Sequence, residues 1–147
     1  MKQLIVKCSA FEEGKYIPSK YTCDGEDVNP PLSIDQIPED AKSLALVVDD
    51  PDAPGGIWDH WVMWNIVPTG KIAEDSAPGT VGTNSFRTQN YGGPCPPSGA
   101  HRYYFKIYAL DSQLNLDKRS RKRELEKAMQ GHILAHGQLM GLYSRVE

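Results

Sequence analysis

SLALVVDDPDAPGGIWDHWVMWNIV, residues 43–67, consists of two apolar runs on either side of a Pro-Gly turn. Ser43–Asp50 is dense in β-branched and apolar residues and reads as a strand. His60–Val67 is apolar on both faces, as an internal strand must be. The linking segment has the proline, glycine and aspartate of a tight connection. If the two strands run antiparallel across it, Asp50 and His60 meet at the same end of one sheet. Asp50 closes the row of Leu44, Leu46 and Val48. By alternation His60 is expected to open the row of Val62, Trp64 and Ile66. A slip of one residue would turn either side chain to the opposite face.

Working outward, His101–Leu110 (HRYYFKIYAL) alternates cleanly, with His101, Tyr103, Phe105, Ile107 and Ala109 on one side. Leu4–Cys8 and Gly79–Ser85 read as shorter strands. The eleven prolines and thirteen glycines crowd the first hundred residues, as in strands joined by turn-rich loops. Leu125, Ala128, Met129 and His132 then repeat at helical spacing, which predicts a helix from Arg119 to about Ala135. Asp117 or Ser120 would cap it. Gly137 should end it and leave Gln138–Tyr143 as a last short strand. Strands followed by one late helix predict a mostly β fold, an antiparallel β-sandwich with one peripheral C-terminal helix.

The 147 residues suit a single domain, 1–147, with no linker, repeat or low-complexity tract. A net charge of −3 gives no general attraction to nucleic acid or to an anionic membrane. No apolar run approaches the roughly 18 residues of a membrane span, and the N-terminus lacks a signal-peptide core. Cys8, Cys23 and Cys95 are odd in number and widely spaced, so no disulfide framework or zinc pattern is read from them. A reduced, cytoplasmic setting is expected on that basis.

If His101–Leu110 runs in the same direction as His60–Val67, His101 and Tyr103 arrive at the rim where Asp50 and His60 meet. Polar groups that end apolar rows make a concave site with an apolar floor. The loop TQNYGGPCPPSGA, residues 88–100, would stand beside it, stiffened by proline and able to aim backbone N–H groups inward. Several functions compete for these residues. Asp50 and Asp52 also suit a plain Asp-Pro-Asp turn. Asp50, Asp52, His60 and His101 are types that bind zinc. A hydrolase needs an activated nucleophile; Ser85, Ser98 and Cys95 are near, but neither serine lies in a G-x-S-x-G elbow. Binding without turnover, with no cofactor and no metal, is therefore the expectation. Asp50 is expected to accept a proton-bearing nitrogen of His60 or His101 and so aim that ring at an anion.

Other features read more plainly. Trp61 and Trp64 suit the core, and Trp58 a pocket wall; an aromatic box for a cation is the alternative. His132 and His136 are four apart but lack the intervening glutamate of a zincin, so they read as packed histidines on the helix. The run KRSRKR, residues 118–123, reads as a solvated face or a patch for an acidic partner. Cations at a helix start oppose its dipole, and the sequence offers no stabilising reason for them.

DPDAP at 50–54, HWVMWNIVP at 60–68 and GGPCPPSGAHRYYFKIYALD at 92–111 resemble the phosphatidylethanolamine-binding protein family, closest to its prokaryotic Raf-kinase-inhibitor-like branch. IPSKYTCDGEDVNPPL at 17–32 and GHILAHGQLMGLYSR at 131–145 extend the likeness over most of the chain. Ile34 stands where the family commonly has tryptophan, and His136 where this branch often has an acid. The resemblance implies a Greek-key β-sandwich with a small anion pocket at one end. It assigns that pocket to Asp50, Asp52, His60, His101 and Tyr103, lined by Ala53, Pro54, Pro96 and Pro97. It implies a small anionic, phosphate-like ligand such as a phospholipid headgroup, a regulatory role, and in some members inhibition of a kinase or serine protease. Prokaryotic members are often homodimers, for which the apolar LMGLY of the tail would offer a face.

Overall fold

The computed structural model describes residues 2–145. Its strands are β1 (Lys2–Gln3), β2 (Ile5–Lys7), β3 (Leu32–Asp35), β4 (Ser43–Asp50), β5 (Trp58–Ile66), β6 (Lys71–Ile72), β7 (Thr80–Val81), β8 (His101–Leu110) and β9 (Ile133–Tyr143), with one α-helix, α1 (Lys122–Met129), and a 3₁₀ turn at Ser19–Tyr21. The fold is mostly β. Six strands form a sheet in the order β1-β9-β8-β4-β5-β7, and three form a second in the order β2-β3-β6. The large sheet is mixed rather than wholly antiparallel, because β1 pairs parallel to β9. That contact needs Gly137: a Cβ there would collide with the Leu4 carbonyl.

β4 occupies the middle of the large sheet and is buried along its whole length. One of its faces, Leu44, Leu46 and Val48, packs in the main core with Val6, Leu32, Ile34 and Ile72 of the small sheet. Ile34 is a buried core residue. The other face, Ala45 and Val47, packs with Val62, Trp64, Leu125 and Met129 beneath α1. Both faces are therefore covered, which is why the strand reads as a continuous apolar run. β4 is antiparallel to both β5 and β8, so β5 and β8 run in the same direction, as expected.

The alternation expected along β5 does not hold. Trp61, Met63 and Ile66 face the main core, while Val62 and Trp64 face the helix. Two register shifts cause this. Val48 lies opposite Trp61 and Asp49 opposite Asp59, so His60 is an extra residue; a second lies between Leu44–Ile66 and Leu46–Met63. Each β-bulge inserts one residue and resets which face follows. At the second, Asn65 adopts a φ of 55°, and its side chain exchanges hydrogen bonds with the Leu114 backbone at 2.7 and 2.8 Å.

The helix is shorter than its apolar spacing predicts. Gln130 leaves helical geometry and Gly131 takes a φ of 81°, so β9 begins at Ile133. His132 and His136 thus share no helix face: His132 pairs with Asp111 at 2.8 Å, and His136 is exposed on β9. Neither Asp117 nor Ser120 caps α1. The cap position is Arg121, whose backbone N–H donates to Glu124 Oε1 at 2.8 Å. The cations at its start gain a reason from the sheet. Lys122 Nζ donates to the buried Asp49 Oδ2 at 2.9 Å and lies 3.6 Å from Asp59 Oδ1. Asp49 and Asp59 are directly opposite across β4 and β5, a repulsive placement unless a cation lies between them. Burial works against the Lys122 ammonium, but its hydrogen bond to Asp49 together with the charges of Asp49, Asp59 and Glu126 outweighs this, and its pKa is raised.

The cysteines also depart from expectation. Cys23 and Cys95 form a disulfide, leaving Cys8 free. The odd count concealed one pair plus one thiol, and the case for a reducing compartment made from unpaired cysteines no longer stands. Among the described residues, no helix is long and apolar enough to cross a membrane.

Candidate functional site

At the end of β4, β5 and β8 a cavity of about 590 Å³ opens between the loop after β4 and the segment from Ser85 to Pro97. Asp50, Ala53, Pro54, Trp58, His60, Pro96, Pro97, His101 and Tyr103 all line it. Three strands deliver the polar groups: Asp50 is the last residue of β4, His60 lies near the start of β5, and His101 and Tyr103 open β8. The bulge is what brings His60 to this face. Its ring meets the Tyr103 ring edge-on at 5.2 Å, on the side of the sheet that holds Val48 and Phe105.

Asp52 does not line the cavity. It faces outward and grips Arg102, with Oδ2 accepting from Nε at 2.9 Å and Oδ1 from Nη2 at 2.8 Å. The Arg102 hydrogen bonds lower the Asp52 pKa to about 2. Its part in the pocket is indirect, since its backbone N–H donates to Asp50 Oδ1 at 2.7 Å.

Asp50 partners His101 rather than His60. Its Oδ2 accepts from His101 Nδ1 at 2.7 Å, with both side chains almost wholly buried. Both Asp50 oxygens are therefore engaged, which turns the carboxylate's charge toward its neighbours and away from a guest. The bond holds the His101 proton on Nδ1 and leaves Nε2 as the second ring nitrogen, a donor whenever the ring is an imidazolium. His60 is fixed differently. Its Nδ1–H donates to the Gly92 carbonyl at 2.7 Å, while Gly92 N–H donates to the His60 carbonyl at 3.0 Å. Burial pushes the His60 pKa below its ordinary 6.5 and outweighs the raising effects of Gly92 and Asp50. His60 is accordingly a neutral ring near pH 7.

Tyr103 is fully buried, and its hydroxyl makes no hydrogen bond of acceptable geometry. Burial raises its pKa, and the nearby Asp50 charge raises it further, so the group stays a phenol. Asp50 is the acceptor beside it, and that carboxylate is already engaged by His101 and the Asp52 N–H.

The loop of residues 88–100 gives a wall more than donors. The Gly92 and Gly93 amides are already committed, the second to Asp27 Oδ1 at 2.8 Å, and Pro94, Pro96 and Pro97 have no N–H to give. Glycine is required at 93, where a Cβ would strike Asp27 and the Tyr21 carbonyl. Of the three nucleophiles suggested from sequence, Ser85 and Cys95 line the cavity. Ser85 Oγ accepts from the Asp59 amide at 2.8 Å, and Cys95 is in the disulfide. Ser98 is exposed and does not line the cavity. Among the described residues no group of three or more His, Cys, Asp or Glu side chains is placed to hold a metal ion.

Sequence reasoning missed Phe86, Arg87 and Arg121, which also line the cavity. Arg121 was visible only as part of a basic run, and nothing near Phe86 or Arg87 marked them. No residue of the 131–145 tail reaches the pocket, His136 included.

Fold and site together define a mostly β protein with a cavity where strand ends meet, its polar side chains held by one another and by the loop backbone. The profile of the phosphatidylethanolamine-binding protein family matches residues 7–144, and the chain belongs to that family. A UPF0098 protein of Archaeoglobus fulgidus is 51% identical over 98% of this chain, which spans about half (52%) of that relative's length. A UPF0098 protein of Methanothermobacter thermautotrophicus is 49% identical, with 95% of this chain and 98% of that one covered. A solved structure of a phosphatidylethanolamine-binding protein homolog from Chlamydia trachomatis superposes with a TM-score of 0.95 at 40% identity, covering 99% of this chain and all of that one. Escherichia coli YbcL, described as a member of the mammalian family, gives 0.89 at 27% identity, with 98% and 99% covered.

Proposed function

We propose that this pocket binds a phosphate-bearing or similar small anionic group, such as a phospholipid headgroup, and holds it without transforming it, in a regulatory or inhibitory role. The observation that carries the reading is the pair of Tyr103 and His101. One is a buried hydroxyl beside an Asp50 carboxylate already engaged by His101 and the Asp52 N–H, and the other is a ring oriented by Asp50 with its second nitrogen unused. A hydroxyl donor beside a ring nitrogen that donates when the imidazole is protonated, together at the strand ends, suits an oxyanion. The loss of the Cys95 thiol to the disulfide, and the absence, among the described residues, of a base hydrogen-bonded to Ser85 Oγ, support binding over turnover.

Proton NMR of the imidazoles during addition of inorganic phosphate or phosphorylethanolamine tests this. His101 and His60 should shift with a common saturation curve, while His132, tied to Asp111 on the exterior, should not. Pocket resonances unmoved at millimolar ligand, or all three histidines moving alike, would refute it.

A further inference from the structure

The cavity is larger than one oxyanion needs. About 590 Å³ is the size that encloses a drug-sized molecule. Its outer part is lined by Ile57, Trp58 and Phe86, which are 60%, 39% and 42% exposed. Trp58 and Phe86 meet edge-to-face at 5.4 Å, an apolar surface left open to solvent.

The charges of the lining are unequal. Asp50 is its one carboxylate, and both oxygens of that group are engaged. Arg87 and Arg121 stand against it. Among the described residues the ion-paired arginines are Arg102, Arg119 and Arg145, so neither guanidinium at the mouth is in an ion pair. Their backbones are nevertheless fixed. Arg87 sits at a φ of 68°, which costs a non-glycine residue strain. It is held there by its N–H to the Asn84 carbonyl at 3.0 Å, and the buried Asn84 in turn donates to the His60 carbonyl at 3.3 Å and the Asn90 carbonyl at 2.8 Å. Arg121 is fixed by the hydrogen bond its backbone N–H donates to Glu124 Oε1 and by the pinning of Lys122 to Asp49. Two anchored positions thus hold unneutralised guanidinium groups around one apolar mouth.

We infer that the ligand carries two anionic groups joined through an apolar body: the inner one at Tyr103 and His101, the outer one at Arg87 and Arg121, and the body against Trp58 and Phe86. This rests on the anion-pocket reading above and adds the class of molecule.

The test is calorimetric titration, at physiological salt, with phenyl phosphate and with 3- and 4-carboxyphenyl phosphate. At least one carboxylated probe should bind about tenfold tighter than phenyl phosphate, the gain expected from one further charge-assisted contact. In the Arg87→Gln/Arg121→Gln variant that advantage should vanish, while phenyl phosphate keeps its affinity within about twofold. In Arg123→Gln/Lys127→Gln, which removes the same charge away from the cavity, the advantage should persist. Equal binding of all three probes would overturn the inference and leave the inner anion site standing. So would equal losses for every probe in the first variant, or loss of the advantage in the second. If neither phenyl phosphate nor inorganic phosphate binds, the anion-pocket reading falls and this inference with it.

Discussion

Reduction of the Cys23–Cys95 disulfide should destabilise the fold by several kcal/mol. The bridge joins residues 72 apart in sequence. In the chain-entropy account, closing a loop of that size removes about 15 cal/mol/K from the unfolded ensemble, or about 4.4 kcal/mol at 25 °C. A chain of this length moves its midpoint by about 2–4 °C per kcal/mol. The oxidised protein should therefore melt about 9–18 °C above the reduced one. The assay is thermal and urea unfolding of the oxidised protein, the reduced protein and a Cys23→Ser/Cys95→Ser variant. Thiol titration in denaturant should first find one reactive thiol before reduction, Cys8, and three after. Reduced and substituted forms should unfold alike. Oxidised and reduced forms that melt within about 2 °C, with the bridge verified, would refute the reasoning. The neighbouring ties, Cys23 N–H to the Pro94 carbonyl at 3.1 Å and the Tyr91 hydroxyl to the Tyr21 carbonyl at 2.7 Å, would then hold the two segments without a covalent link.

Asp49→Ala should cost about 3 kcal/mol in urea unfolding, because it removes the ion-pair partner of Lys106 and the closer of the two partners of Lys122; a loss under about 1 kcal/mol would show the cluster to be incidental. Asp50→Asn should weaken phosphate binding about tenfold by releasing the His101 tautomer, whereas Asp52→Asn, which touches Arg102 outside the cavity, should change it less than about twofold. Similar losses from both would place Asp52 in the pocket after all. The His60 pKa is depressed on folding, so its contribution to stability is full above its ordinary 6.5 and is lost as pH falls from there through the lower folded value. Its NMR titration midpoint should lie below 6.5, and a midpoint at or above that value would contradict the burial of its ring.

Much of the site was legible because two of its strands are regular. Ser43–Asp50 and His101–Leu110 coincide with β4 and β8 to the residue, since apolar content in one and strict alternation in the other follow from how each is buried. β5 was read at the right place and on the wrong faces. Alternation presumes a period of two, and nothing in HWVMWNIV announces an inserted residue. His60 still reached the pocket, though by a bulge and not by the row assigned to it. The helix is overextended in the sequence because helical apolar spacing runs on to His132, whereas Gly131, by its positive φ, is the terminus. The disulfide was invisible for a plainer reason. Its partners are brought together only when the proline-rich loop folds back onto the segment after the 3₁₀ turn, and spacing in sequence carries no trace of that.

The pocket's dependence on an irregular strand has a physical consequence. A bulge leaves ladder groups without their usual partners, and buried groups must be satisfied elsewhere. The His60 carbonyl finds them in Gly92 N–H and the Asn84 amide, and the His60 ring finds the Gly92 carbonyl. The loop therefore completes β5 as well as walling the cavity. The same exchange fixes which ring nitrogen of His60 carries its proton. Anything that loosens the 88–100 loop should disturb His60 before it disturbs His101, whose orientation comes from Asp50 within the sheet. One wall of the pocket is set by strand pairing and the other by loop closure, and the two differ in how readily they can yield.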